Sequence, residues 1–123
     1  MSFATANATI YAAIDIAGTV VTPDIRNRET QIPAVLFGLE DSGPTNDSTG
    51  SIGPYHSRYV FACLSTSRIL ADALAAEVLA DLVASTSFVS VHESSRSAEI
   101  FQRGADTAPV YVTELTTTLT FAS

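Results

Sequence analysis

The sequence predicts an α+β fold, a largely antiparallel mixed sheet of four to five strands with two helices packed on one face. Three observations predict it. A central strand, Tyr55 to Leu64, stops at the hydroxyl cluster Ser65, Thr66 and Ser67 and runs into an alanine-rich stretch of helical period. The C-terminal run from Val110 to Phe121 alternates as a strand does, with Tyr111, Thr113, Leu115, Thr117, Leu119 and Phe121 on one face and a threonine-rich set on the other. The parts come in the order helix, strands, helix, strands, and no internal repeat is visible.

Taken in order, Ser2 to Ala17 is alanine-rich and places Phe3, Ile10, Ile14 and Ala17 on one helical face. Ser2 or Thr5 can cap this helix and Gly18 can end it. Thr19 to Thr22 favours β structure until Pro23 stops it, so a short strand or an extended connection is expected. Asp24 to Thr30, with Arg26, Arg28 and Glu29, reads as a solvated loop. Gln31 to Glu40 reads as a strand with Pro33 at its start or on an edge and Gly38 at a bulge or a close backbone approach. Asp41 to Gly53 combines glycine, proline and small polar residues and is expected to be a long flexible hairpin loop.

The central strand carries Tyr55, Tyr59, Phe61 and Cys63 on one face and Val60, Ala62 and Leu64 on the other. Both faces are apolar at its far end, so each requires a cover. The protein's own helix supplies one, and another layer, a loop or another subunit supplies the second, which is a first hint of assembly. In the helix, Leu70, Leu74, Val78 and Leu82 form the stripe expected on the sheet, extended by Leu79 and Val83. Alanines fill much of the remaining surface and permit close packing. Phe88, Val89 and Val91 then start a strand that gives way to a polar loop carrying Arg96 and Arg103, with a Gly-Ala-Asp turn before Pro109.

A chain of 123 residues is read as one domain. Thirteen acidic residues face six basic ones, all arginine, for a net charge of −7. No basic footprint for phosphate exists, so sequence-specific nucleic-acid binding is not expected, although an acidic surface lets nucleic acid pass without sticking. With no charged leader before an apolar run, and no apolar run long enough to cross a bilayer, a soluble, unprocessed chain with no membrane partner is expected. Cys63 is the single cysteine and reads as a buried small hydrophobe in a reducing compartment.

Chemistry is sparse. His56 and His92 sit in strands, no Gly-x-Ser-x-Gly elbow is present, and Cys63 lies seven residues from His56, out of contact along a strand. No metal-ligand spacing and no glycine-rich phosphate cradle occurs. Accordingly no catalytic, cofactor-binding or metal-binding residue is assigned, and the expectation is a protein that is not an enzyme.

The strand IPAVLFGLE, the strand YHSRYVFACLS running into SRILADALAAEVLADL, and the closing β-hairpin resemble the tail-terminator (tail-completion) proteins of long-tailed bacteriophages. The similarity spans roughly Ile32 to the C-terminus, and its most specific part is a strand and serine followed by Ser67, Arg68, Ala71, Leu74 and Ala75 at a helix start. The resemblance implies a small α+β subunit of a homohexameric ring in the neck region of the virion, assembled in the host cytoplasm. That ring sits on the head-proximal end of the tail tube, ends tube polymerisation and docks to the head connector. It implies no cofactor and no enzymatic step, with DNA passing through the channel without sequence-specific binding.

On residue type alone, Arg58, Tyr59, Phe61, Asp72, Arg96, Arg103, Asp47 and Ile52 are expected at subunit or tube contacts. Solvated ion pairs are the plainer reading of any single arginine. Other readings are a different neck or tail component (connector, adaptor or tube subunit), and a small oligomeric cytoplasmic enzyme or ligand-binding domain with a site between subunits around His56, His92 or Glu114. A monomeric binding module is a further alternative. It would cover the second apolar face of the central strand internally.

Overall fold

A computed structural model of the chain describes residues 3–25, 30–43, 55–105 and 107–122. Two helical and five extended segments follow one another as α1 (Phe3–Ala13), β1 (Val20–Thr22), β2 (Ala34–Gly43), β3 (Tyr55–Ser65), α2 (Arg68–Ala84), β4 (Phe88–Phe101) and β5 (Val110–Phe121). The strands form one sheet in the order β1-β2-β3-β5-β4. Only β1 and β2 run parallel; the other three pairs are antiparallel, and the fold is α+β.

The register sorts side chains onto two faces. Residues directly opposite share a face, so Phe37, Phe61 and Leu115 lie in one row, and Leu36, Ala62 and Glu114 in the next row on the other side. One core cluster joins Ala6 and Ile10 of α1, Ile14 just beyond its end, and Leu74, Ala75, Val78 and Leu82 of α2 to Val35, Phe37, Tyr59, Phe61, Leu115, Leu119 and Phe121. A second, smaller cluster holds Ala34, Leu36, Ala62, Leu64, Val110 and Val112, with Ile25, Ile32 and Phe101 packed against it. The second apolar face of β3 is therefore covered from within the chain at Ala62 and Leu64. That removes the hint of assembly drawn from it.

Several boundaries differ from the sequence expectation. α1 ends at Ala13, four residues short of Ala17, because the Asp15 amide donates to Asp81 Oδ2 of α2 (2.9 Å) instead of continuing the helical ladder. Gly18, at φ 74, then takes the left-handed conformation of the following turn. β2 extends through Asp41 to Gly43, so the expected loop from Asp41 starts later; residues 44–53 of it lie outside the described residues. The first part of the stretch expected to be a polar loop after Val91 is strand as far as Phe101, because β5 offers it a ladder; the turn follows from Gln102. Its polarity reflects an edge position instead of irregular backbone.

α2 begins where the hydroxyl cluster predicts, with the Ser67 side chain accepting from the Leu70 amide at 3.2 Å. Its buried face is Ala71, Leu74, Ala75, Val78 and Leu82. Leu70 and Val83, expected on the sheet, are exposed. Two alanines take the contact in their place and let the helix lie close to the strands.

Gly38 marks a close approach. A Cβ at this position would stand 2.9 Å from Ile25 Cγ2 and 3.0 Å from Ile25 Cβ. The β2 register also shifts between Leu39 and Asp41, one residue further on. Gly38→Ala is expected to cost about 1–3 kcal/mol by overpacking. Urea unfolding measures it, and adding Ile25→Ala should recover part of the loss that Ile25→Ala alone does not explain.

Candidate assembly surface

β3 positions three of the expected contact residues, and its alternation separates them. Tyr59 and Phe61 are 0% exposed and belong to the core, so neither is a subunit or tube contact of the folded chain. Phe61 packs against Phe37 at a ring distance of 5.9 Å, and the Tyr59 hydroxyl donates to Asn7 Oδ1 at 3.5 Å. Arg58 lies on the opposite, exposed face, 3.9 Å from Glu40 Oε1, with both side chains about half exposed (47% and 46%). A solvated pair at that distance contributes little.

The other residues are tied within the chain. Asp72 Oδ1 accepts from Thr113 Oγ1 at 2.6 Å. The same hydroxyl accepts from Arg68 Nη1 at 3.0 Å, while Arg68 also donates to the carbonyls of Val112 (2.9 Å) and Glu99 (3.0 Å) and lies 5.6 Å from the Tyr111 ring centre. Asp72 thus belongs to a network fastening the start of α2 to β5 and β4. Arg96 Nε donates to Glu93 Oε1 on its own strand at 2.8 Å. Arg103 donates to the Thr30 carbonyl, joining the β4–β5 turn to the segment before β2. Asp47 and Ile52 lie outside the described residues.

These positions do not converge. Arg96 stands opposite Leu115 and Arg58 opposite Thr118, an odd offset along β5 that puts the two arginines on opposite sheet faces. For the intersubunit-site alternative, His92 stands opposite Thr118 while Glu114 is four residues along the same strand, about 13 Å apart. His56 occupies the register position opposite Thr120. Among the described residues, no group of three or more His, Cys, Asp or Glu could hold a metal ion, and no helix is long and apolar enough to cross a membrane.

Cys63 sits in the core between Phe61 and Ser65, free and buried. Burial pushes its thiol up from 9.0 to about 12, with the nearby Arg96 charge offsetting only part of that. A raised folded-state value favours the protonated thiol. Its contribution to stability is full below the unfolded value and is lost as pH rises through the window from 9.0 to about 12. At pH 8 a thiol reagent should therefore label Cys63 only as fast as the chain opens, and denaturant should expose it fully.

The alanine-rich surface of α2, read from the sequence as permitting close packing, carries two large apolar side chains, Ile69 and Val83, that the sequence reading did not place there. Ile69, Ala73, Ala76, Ala80 and Val83 recur at alternating spacings of four and three, and all are exposed, Ile69 at 80% and Val83 at 64%. With the sheet-facing stripe on its other side, the helix is apolar on both faces. The seven-residue spacing of Ile69, Ala76 and Val83 was the available signal. Val89 and Ile100 of β4 add two further exposed apolar side chains.

No protein-family model matches the chain, and no curated protein matches it.

Proposed function

We propose that the chain is a structural virion protein, a tail terminator whose copies form a ring at the head-proximal end of a phage tail tube. In this reading the ring ends tube polymerisation, docks to the head connector and lets DNA through an acidic channel, with six copies to the ring. The observation that carries it is α2, a helix apolar on both faces whose outer stripe, Ile69 to Val83, is exposed in the single chain. An exposed apolar stripe on a helix commonly marks a contact surface, and assembly would cover this one. The order of elements and the serine-led start of α2 at Ser67 and Arg68 support the same reading.

Light scattering after size exclusion over a concentration series, with electron microscopy of any large species, tests it. Closed sixfold rings, or capping of tail tubes by the chain, would support the terminator. A strict monomer that leaves tube ends untouched would reject it. That second outcome would favour a monomeric binding module, the reading supported by the internal cover on Ala62 and Leu64.

A further inference from the structure

We infer that the groove between the first half of α2 and the turn after α1 takes the side chain of an arginine presented by another protein. The groove belongs to the single chain and exists with or without a ring. One wall is a ridge of α2, Leu70, Ala73, Leu74 and Glu77, residues three and four apart that share one side of the helix. The other wall is the turn from Ile16 to Thr19 together with Pro33. Ser65 and Thr66, where β3 passes into α2, complete the lining among the described residues, and the enclosed volume is about 330 Å³.

Both walls are preformed, as the walls of ligand sites usually are. The Thr19 amide donates to the Ile16 carbonyl at 3.3 Å, and the Val20 amide donates to the Pro33 carbonyl at 3.1 Å. Gly18, at φ 74, lets the turn close. The bond from the Asp15 amide to Asp81 Oδ2, 2.9 Å long, then fixes this wall against α2 one turn beyond Glu77.

Size and charge select the occupant. From Leu70 to Glu77 the helix rises only about 10 Å, which an extended segment of about three residues would already fill. That length suits one long side chain and is too short for a docked helix. Ile16, Pro33 and Leu70 make the lining largely apolar, and its one charge is the exposed carboxylate of Glu77. No hydrogen bond or ion pair joins Glu77 to another residue among those described. Asp81, one turn further along the helix, and Asp15 beside it add negative charge, and no described basic residue lines the groove. A cation on an apolar stem matches this lining, with the stem along Leu70 and Ile16 and the head at Glu77. Arginine suits it better than lysine, because a guanidinium is more weakly hydrated and meets a carboxylate through two parallel bonds. Arg58, Arg68, Arg96 and Arg103 are each engaged within the chain, so the occupant comes from a different protein.

The probe is N-acetyl-arginine amide, titrated into the isotope-labelled chain and followed by amide chemical shifts. Saturable shifts are expected at Ala17, Thr66 and Ala73. N-acetyl-citrulline amide, with the same stem and no charge, should bind about tenfold more weakly, the loss that removal of a charged hydrogen-bonding partner brings. Glu77→Gln, at an exposed position, should leave the rest of the spectrum unchanged and weaken the arginine probe by the same factor. Leu70→Ala should weaken both probes alike. Absence of saturable shifts at these amides, or equal binding of the two probes, would overturn the inference. Spermidine binding more tightly than the arginine probe, with the same dependence on Glu77, would overturn it in favour of a free polyamine. Loss of self-association in the Glu77→Gln chain, read by light scattering, would overturn it in favour of a second copy's arginine. A chain that binds the probe yet forms no ring would support the groove while rejecting the terminator.

Discussion

Phe61→Ala lowers the stability of the single chain by about 3–5 kcal/mol, a large part of the 5–15 kcal/mol that holds a domain of this size folded. Phe61 sits mid-strand on β3, fully buried, between Phe37 on β2 and Leu115 on β5. Its ring meets Phe37 at 5.9 Å and Tyr59 at 6.5 Å, and α2 closes the cluster from above through Leu74, Val78 and Leu82. Neighbours on all sides belong to hydrogen-bonded strands or a packed helix, so truncation leaves a cavity that cannot collapse. Urea unfolding should show the midpoint fall without a change in slope. Ile69→Ala, at a side chain 80% exposed, should move the same midpoint by no more than about 0.5 kcal/mol and act on assembly alone. The opposite pattern, a stable Phe61→Ala monomer that fails to assemble, would return Phe61 to the contact surface from which its burial removes it.

The two-residue period of β3 and β5 was legible because every position is paired and both strands are central, with β5 joined to β3 and β4. The start of α2 was legible for a local reason, the Ser67 cap on the Leu70 amide. Which face of α2 meets the sheet was not. A helix apolar on both sides gives periodicity nothing to choose between, and Leu70 and Val83 were exchanged for Ala71 and Ala75. β4 was lost at Glu93 because exposed strand and loop share a composition; its strand character comes from the backbone of β5. Tyr59 and Phe61 were misplaced on an interface because alternation along β3 does not say who covers each face. The cover over Ala62 and Leu64 includes Ile25 and Ile32, far away in sequence. Of the candidate contacts, only Arg58 and Arg96 remain exposed on the sheet, on opposite faces.

Arg68 was read only as part of the serine-led helix start, yet its replacement carries the second-largest expected loss. Arg68→Met should destabilise the chain by about 2–4 kcal/mol, because hydrogen bonds from a charged donor contribute about 1.5–3 kcal/mol each and are not additive within one group. Its guanidinium reaches the Val112 and Glu99 carbonyls and the Thr113 hydroxyl at 2.9–3.0 Å. Those acceptors sit on neighbouring strands at the end of the sheet where α2 begins. Methionine keeps the stem but leaves them unpartnered. Lysine should recover less than half of the loss, since a point charge cannot span acceptors that a planar fork meets together. Arg68 and Asp72 meet through the Thr113 hydroxyl, which receives from one and donates to the other. Thr113→Val should therefore cost less in an Arg68→Met background than in the native chain, and a double-mutant cycle reads that difference directly. An Arg68→Met chain within about 0.5 kcal/mol of the native one would mean that α2 is held to the sheet by its apolar face alone.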